Sequence, residues 1–336
     1  MKKTLIIAEA GVNHNGSLEK ALQLVHAAAE ARADIVKFQT FKANLLATKD
    51  APTAAYQKNN LNKTSDSTDS QYEMLKKLEL SQDDHHVLMK ECKKLNIGFL
   101  STAFDFESLD FLISLKLGLF KIPSGEITNL PYLEIIGRLN LPLIVSTGMC
   151  ELSEVKAALD VLIKSGTKKE NLTVLHCNTD YPTKMLDVNL LAMQAMGKEF
   201  GVAFGYSDHT LGIEVPTAAA ALGATVIEKH FTLDRNMAGP DHAASLEPQE
   251  LKQMVLAIRN VDEALGIAIK RPTASESVNK AVARKSIVAK ISIQSGEVLT
   301  VDNITTSRPG SGLSPMKWHE VLGSQAQKSY APGDLI

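Results

Sequence analysis

The chain has 336 residues, 44% hydrophobic and 22% charged, with a net charge of −2. That is an ordinary globular mixture, enough for one large domain and a small one. No basic stripe suggests nucleic acid, and no segment approaches the roughly 20 apolar residues that span a bilayer. Three scattered cysteines, Cys92, Cys150 and Cys177, form neither a disulfide framework nor a CxxC zinc pattern, which fits a reducing cytoplasm. The first apolar run, TLIIAEAG, is too short for the core of a secretory leader.

In chain order, short apolar runs alternate with helical patterns. The runs are residues 4–10, 34–40, 97–105, 119–125, 141–148, 172–179, 202–209 and 224–231. Each is rich in β-branched or aromatic residues and bounded by turn residues or caps. The segments between them are amphipathic. Leu18 to Ala31 repeats apolar residues at helical spacing, Ser153 to Ser165 carries a serine as N-cap, Leu211 to Leu222 is a short helix, and Glu247 to Leu265 is the eighth. Eight β/α units in residues 1–266 predict a (β/α)₈ TIM barrel. A doubly wound sheet would usually place GxGxxG after the first strand, where this chain has GVNHNG. The long 41–70 connection reads as a functional loop or a solvated insertion. Beyond Leu265 the composition turns polar, predicting a linker with a short helix over 267–283. Residues 284–336 then show short β-like runs and Gly/Pro turns, predicting a separate small β-rich domain.

Barrels place their chemistry at the carboxyl ends of the strands. Side chains alternate along a strand, which points Glu9, Lys37 and Gln39, Thr102, Lys121 and Ser124, and Ser146 into the mouth. Thr179 or Asn178, then Ser207 and His209, then Glu228 and His230 complete the ring. A lysine inside a barrel is costly unless paired with an anion. Two lysines and several hydroxyls converging on one mouth suit a small, highly anionic ligand. His209 and His230 come from neighbouring strands, and with Glu9 and Asp241 near the same mouth they suit a divalent ion that polarises a carbonyl. His14, His176 and His242 are also near strand ends; His85, His86 and His319 are expected at the surface.

Ten ordered strings run along the chain: AEAGVNHNG, VKFQTFKA, STAFD, FKIPSGE, STGM, LHCNTDYPT, GYSDHT, IEKHFT, GPDHAASLEP and RPGSG. They resemble the bacterial sialic acid synthase family, including the closely similar legionaminic acid synthases. The C-terminal segment resembles the antifreeze-like (SAF) domain of those enzymes. The resemblance implies a cytoplasmic transferase that condenses phosphoenolpyruvate with an N-acylated amino sugar and releases phosphate. N-acetylmannosamine would give N-acetylneuraminate; the alternative, 2,4-diacetamido-2,4,6-trideoxymannose, would give the legionaminate analogue. It further implies a divalent metal, Mn²⁺ or Mg²⁺, on His209 and His230. Phosphoenolpyruvate would be held by Lys37, Thr102, Lys121, Ser124, Ser146 and Ser207. Thr179 stands where some members carry an asparagine that donates to phosphate; the amide here is one place earlier, at Asn178. Glu9 matches a proposed acid/base, and Gln39, Glu126, Tyr181 and Asp241 match sugar-site positions. Arg308 matches an arginine that reaches into the other subunit of a domain-swapped homodimer. Phosphoenolpyruvate-dependent synthases of 3-deoxy sugar acid phosphates are the nearest rivals, and the RPGSG region argues against them. A non-catalytic carbohydrate-binding relic would have lost Lys37, Lys121 or a histidine, and all are present. Sugar choice at C4 and C6 is expected to rest on loops such as Ala51 to Asn62.

Overall fold

The computed structural model describes residues 3–48, 51, 57, 60 and 70–336. The chain divides into two compact units, Met1–Gly266 and Ile267–Ile336. Eight strands form the first: β1 (Leu5–Gly11), β2 (Ile35–Thr40), β3 (Gly98–Ala103), β4 (Phe120–Ile122), β5 (Leu143–Ser146), β6 (Leu172–Cys177), β7 (Ala203–Asp208) and β8 (Val226–His230). The ladders among them are all parallel, in the order β3-β2-β1-β8-β7-β6-β5-β4. Pairing of β1 with β8 joins the first and last strands, and β3 lies beside β4 without a ladder among the described residues. This is the expected (β/α)₈ barrel, with β1 as long as its apolar run and the other strands one to four residues shorter than theirs.

The helices seal the outside through one apolar stripe each. Helix Leu18–Glu30 is capped by Ser17, whose hydroxyl accepts from Lys20 N, and it buries Ala21, Leu24, Val25 and Ala28. Those residues meet Val36 and Phe38, the outward face of β2. Each fully buried leucine or valine stabilises by about 1.5–3 kcal/mol. Helix Leu152–Ser165 starts earlier than expected. Glu151, not a serine, occupies the N-cap position, and its backbone N–H donates to the Glu154 carboxylate at 2.9 Å. The 211–222 segment contracts to helix Glu214–Ala221, and the eighth helix is Pro248–Ala264, flanked by Glu247 and Leu265. His85 is a correction to the surface expectation: it is fully buried. It sits on helix Gln82–Lys94 on the same face as Leu88 and Cys92, bonds Thr40 Oγ1 at 2.7 Å, and packs edge-on against Phe99 and Phe111. His86 and His319 are exposed.

Inside the barrel the floor is apolar. Ile7, Leu100, Ile144, Leu175 and Val226 form one buried layer from five strands. One step up each strand, alternation brings a polar ring into the same interior. That switch positions the site.

In the second unit, Thr273 caps helix Ala274–Ala283, and an antiparallel pair follows, β9 (Ser286–Ala289) with β10 (Ile304–Ser307). Ile287, Ile293, Leu299, Ile304 and Tyr330 centre its own core. No described helix is long and apolar enough to cross a membrane.

Candidate active site

The register of the strands assembles the ring. Glu9 lies opposite both Lys37 on β2 and His230 on β8. Gln39 pairs with Thr102, Cys177 with Ser207, and Ser207 with Glu228. The mouth above the apolar floor is a cavity of about 380 Å³, walled by residues of all eight strands and the loops after them. Glu9, Lys37, Gln39, Thr102, Lys121, Ser124, Ser146, Thr179, Tyr181, Ser207, His209 and His230 all line it.

Four buried charges alternate at its base. Lys37 Nζ is 2.8 Å from Glu9 Oε2 and 3.7 Å from Glu228 Oε2; Lys121 Nζ is 3.4 Å from Glu228 Oε1. Thr102 Oγ1 accepts from Lys37 at 3.1 Å, and Ser207 donates to Glu228 at the same distance. Buried charges persist only when paired in this way. Burial pushes the Glu228 carboxyl up, but Lys121 and Lys37 outweigh it and hold the group down at about 2. Glu9 goes the other way: burial raises it, Lys37 only partly opposes, and the Glu228 charge raises it further. Burial pulls Lys37 down, and the Glu228 and Glu9 carboxylates more than restore it. Lys121, with less compensation, stays below the usual lysine range because of burial. Two carboxylates whose environments push them apart are the pattern of divided acid and base roles.

The histidines stand at one side. Their ring centroids are 5.4 Å apart, and Tyr181 lies over His209 at 4.0 Å. His209 Nδ1 is bonded to the Asn178 carbonyl oxygen, so that nitrogen carries the proton and Nε2 keeps its lone pair. His230 Nδ1 is buried with no hydrogen-bond partner among the described residues, 3.9 Å from Asp241 Oδ2. Burial holds His209 at about 4 and His230 well below its ordinary value, which keeps both in the neutral, metal-binding form. Gly11, at φ +52°, clears the space: a Cβ there would sit 3.1 Å from the His230 ring and 3.3 Å from the Gln39 amide. Among the described residues no group of three or more His, Cys, Asp or Glu is arranged to hold a metal. The nearest grouping of such side chains in the mouth is the imidazole pair, with Asp241 Oδ2 3.9 Å from His230 Nδ1.

Not every expected residue reaches the mouth. The Asn178 amide turns away and donates to Asp187 O at 2.8 Å, leaving Thr179 on the wall. Glu126 lies outside the lining, where its carboxylate accepts from Asn129 Nδ2 at 2.6 Å. Asp241 lines an adjoining outer cavity rather than the inner one; burial, with the Glu9 charge, raises it to about 7. Arg308 is in the second unit, exposed, with Nε donating to Ala283 O at 3.0 Å. The 51–62 stretch lies outside the described residues apart from Ala51, Gln57 and Asn60. Asn60 donates to Pro240 O at 2.7 Å.

Three features were not singled out from the sequence. Strand alternation puts Glu228 in the mouth but assigns it no role, and in the structure it partners both lysines. Cys177 lines the wall beside Ser124, Sγ to Oγ 3.3 Å; counting from Leu175 by two would have found it. Asp208 and Lys229, wholly buried and facing outward across the β7–β8 ladder, form an ion pair. Lys229 also donates to Thr210 O at 2.7 Å, which ties together the strand ends that carry His209 and His230.

Residues 24–270 match the NeuB family and residues 284–336 match the SAF domain. The chain is 54% identical to the N,N'-diacetyllegionaminic acid synthase of Campylobacter jejuni, covering 100% of this chain and 99% of the relative. It is 48% identical to the enzyme of that name from Legionella pneumophila, over 98% of this chain and 92% of that one. Among solved structures, the N-acetylneuraminic acid (sialic acid) synthetase of Leptospira borgpetersenii aligns with a TM-score of 0.70 and 33% identity, over 82% of this chain and 90% of the other.

Proposed function

The chain belongs to the NeuB family, and we propose that it is a nonulosonic acid synthase that joins phosphoenolpyruvate to 2,4-diacetamido-2,4,6-trideoxymannose, giving N,N'-diacetyllegionaminate and phosphate. The observation that carries the choice of sugar is sequence identity. It is 54% and 48% with two N,N'-diacetyllegionaminic acid synthases, over 100% and 98% of this chain, against 33% with the N-acetylneuraminic acid synthetase, over 82%. N-acetylmannosamine is the alternative acceptor.

The inner cavity supports the phosphoenolpyruvate half of this reading. Lys37 and Lys121 are the cations available to its carboxylate and phosphate. Ser146 Oγ is buried and makes no hydrogen bond among the described residues, so its hydroxyl is free to donate to the ligand. Gly148 admits the neighbouring contacts: a Cβ there would lie 2.9 Å from Ser124 Oγ and 2.7 Å from Thr179 Cγ2. Charge-assisted hydrogen bonds of this kind fix a small anion, and holding two reactants together supplies about 7–11 kcal/mol of the barrier.

In the reaction, C3 of phosphoenolpyruvate forms a bond to the sugar aldehyde carbon and water adds at C2. The tetrahedral centre then expels phosphate by C–O cleavage. Glu9, raised by burial and bonded to Gln39 Nε2 at 3.2 Å, is the group to take or give the proton of that water. Glu228, held ionised, keeps both lysines charged. Tyr181, tilted against His209, stands in the wall shared by the inner and outer cavities, on the sugar side. His209 and His230 fit a divalent ion, which when bound supplies Lewis-acid polarisation of the aldehyde oxygen. Two imidazole donors favour Mn²⁺ over Mg²⁺, which prefers oxygen ligands.

The active form is read as a homodimer in which Arg308 of each chain serves the barrel of the other. Exposed apolar side chains after β5 and β6 support it: Met149 is 72% exposed, Leu186 98% and Leu191 69%. Three free cysteines are consistent with a cytoplasmic location. We retain residues 1–266 as the catalytic domain, 267–283 as the linker and 284–336 as the SAF domain.

Phosphoenolpyruvate labelled with ¹⁸O at the bridging oxygen tests the chemistry. C–O cleavage sends the label into phosphate; label retained in the sugar acid refutes it.

A further inference from the structure

Beside the inner cavity lies a second one of about 390 Å³. The two share Gln39, Phe104, Gly125, Met149, Tyr181 and His230, so they are continuous. The outer one has two unlike sides. Gln39, Asp241 and Tyr181 offer polar atoms on one. The other is mainly apolar: Leu46 on the short helix Ala43–Leu46, Met74 and Leu75 on helix Gln71–Lys77, then Leu78, Phe41 and Val12, with Gln57 and Gln71 the polar side chains among them. The apolar ones form a small hydrophobic cluster separate from the barrel core.

The deduction rests on the synthase reading above. The aldehyde of the acceptor must reach phosphoenolpyruvate in the inner cavity, because the new C–C bond forms there. The far end, C4 to C6, then lies in the outer cavity against this wall. N-acetylmannosamine would put a C4 hydroxyl and a C6 hydroxymethyl there. Where they face Leu46, Met74, Leu75 and Leu78 rather than a glutamine, those groups find no partner, and a hydroxyl buried without one is disfavoured. A 4-acetamido-6-deoxy sugar instead turns two methyl groups to that patch, whose burial is favourable, with its amide N–H and C=O directed to the polar side chains of the lining.

We propose that the apolar wall of Leu46, Met74, Leu75 and Leu78 is the specificity subsite, receiving the C6 methyl and the C4 acetamido methyl of the acceptor. It selects deoxy, acylated sugars over polyhydroxylated ones.

The test compares kcat/KM for the 2,4-diacetamido sugar and for N-acetylmannosamine in the full-length Mn²⁺ enzyme and in Leu75→Asn and Leu46→Asn. These two positions are half-buried and lie on different helices, so a folding defect in one leaves the other to report. The wild type prefers the diacetamido sugar by about 10- to 100-fold, the range of one small group in an apolar pocket. Each substitution cuts that preference by about tenfold while the KM for phosphoenolpyruvate stays within twofold. Equal losses on both sugars, or an unchanged ratio, overturn the wall as a selector. A wild type that prefers N-acetylmannosamine overturns the legionaminate reading and the wall with it, before any variant is made.

Discussion

Glu228→Gln is the most informative perturbation of the charge cluster. The carboxylate sits between two buried ammonium groups, at 3.4 Å from Lys121 and 3.7 Å from Lys37. It is held at about 2 against an ordinary value of 4.5. At about 1.4 kcal/mol per unit, that difference corresponds to stabilisation on the order of 3 kcal/mol at neutral pH. The sign follows from the depression. The contribution is complete above the unfolded value and is lost as pH falls toward the folded one, so by pH 3 less than half remains. Glu228→Gln should therefore lower Tm at pH 7 by roughly 5–10 °C, and the gap to wild type should narrow at pH 3. Phosphoenolpyruvate, which supplies the missing negative charge, should raise the Tm of the variant more than that of wild type. Differential scanning fluorimetry across pH, with and without the ligand, reads all three. An unchanged Tm at pH 7, or a gap of the same size at pH 3, would refute the pairing argument.

Other consequences are equally concrete. Glu9→Gln should lower kcat by about 10²- to 10⁴-fold with the KM for phosphoenolpyruvate within a few-fold, measured by continuous phosphate release; full turnover would remove Glu9 from proton transfer. His209→Ala and His230→Ala should each weaken Mn²⁺ binding at least tenfold in an electron paramagnetic resonance titration, and wild-type affinity in either would disprove the imidazole pair. For chelator-treated enzyme, Mn²⁺ at 100 times its Kd should restore about 2.7 kcal/mol of stability; no thermal shift would mean that no metal binds. Asp208→Asn should cost about 3–5 kcal/mol, the usual penalty for stranding one partner of a buried ion pair. Urea unfolding checks it, and a loss below 1 kcal/mol would contradict a structural role for the Lys229 pair.

Much of the site was legible because a parallel strand obeys a period of two. Once DIVKFQT is a barrel strand, Lys37 and Gln39 must share the inner face, and Val36 and Phe38 must meet the helices. The same counting holds for Glu9, Thr102, Ser146, Ser207 and Glu228. It fails where the strand has ended. Asn178 and Thr179 lie beyond β6, so a loop turn decides which side chain enters the cavity, and it is Thr179. Glu126 sits on a 3₁₀ turn after β4 and leaves the wall for Asn129. The burial of His85 is legible in its spacing: with Leu88 and Cys92 it forms a 3–4 pattern that marks the buried face of a helix. The Asp208–Lys229 pair depends on the register of β7 against β8, and the outer cavity draws residues from position 12 to position 241. No local pattern encodes either, because both are products of tertiary packing.

The central claim is that this barrel joins phosphoenolpyruvate to a 2,4-diacetamido sugar. One measurement bears on it most directly: phosphate release from phosphoenolpyruvate with Mn²⁺, offering that sugar and N-acetylmannosamine in parallel. The account predicts metal-dependent release with a higher kcat/KM for the 2,4-diacetamido sugar, and a product that contains both carbon skeletons. A higher value for N-acetylmannosamine would make the chain an N-acetylneuraminate synthase with the same catalytic groups. Release with neither sugar would contradict the synthase reading itself.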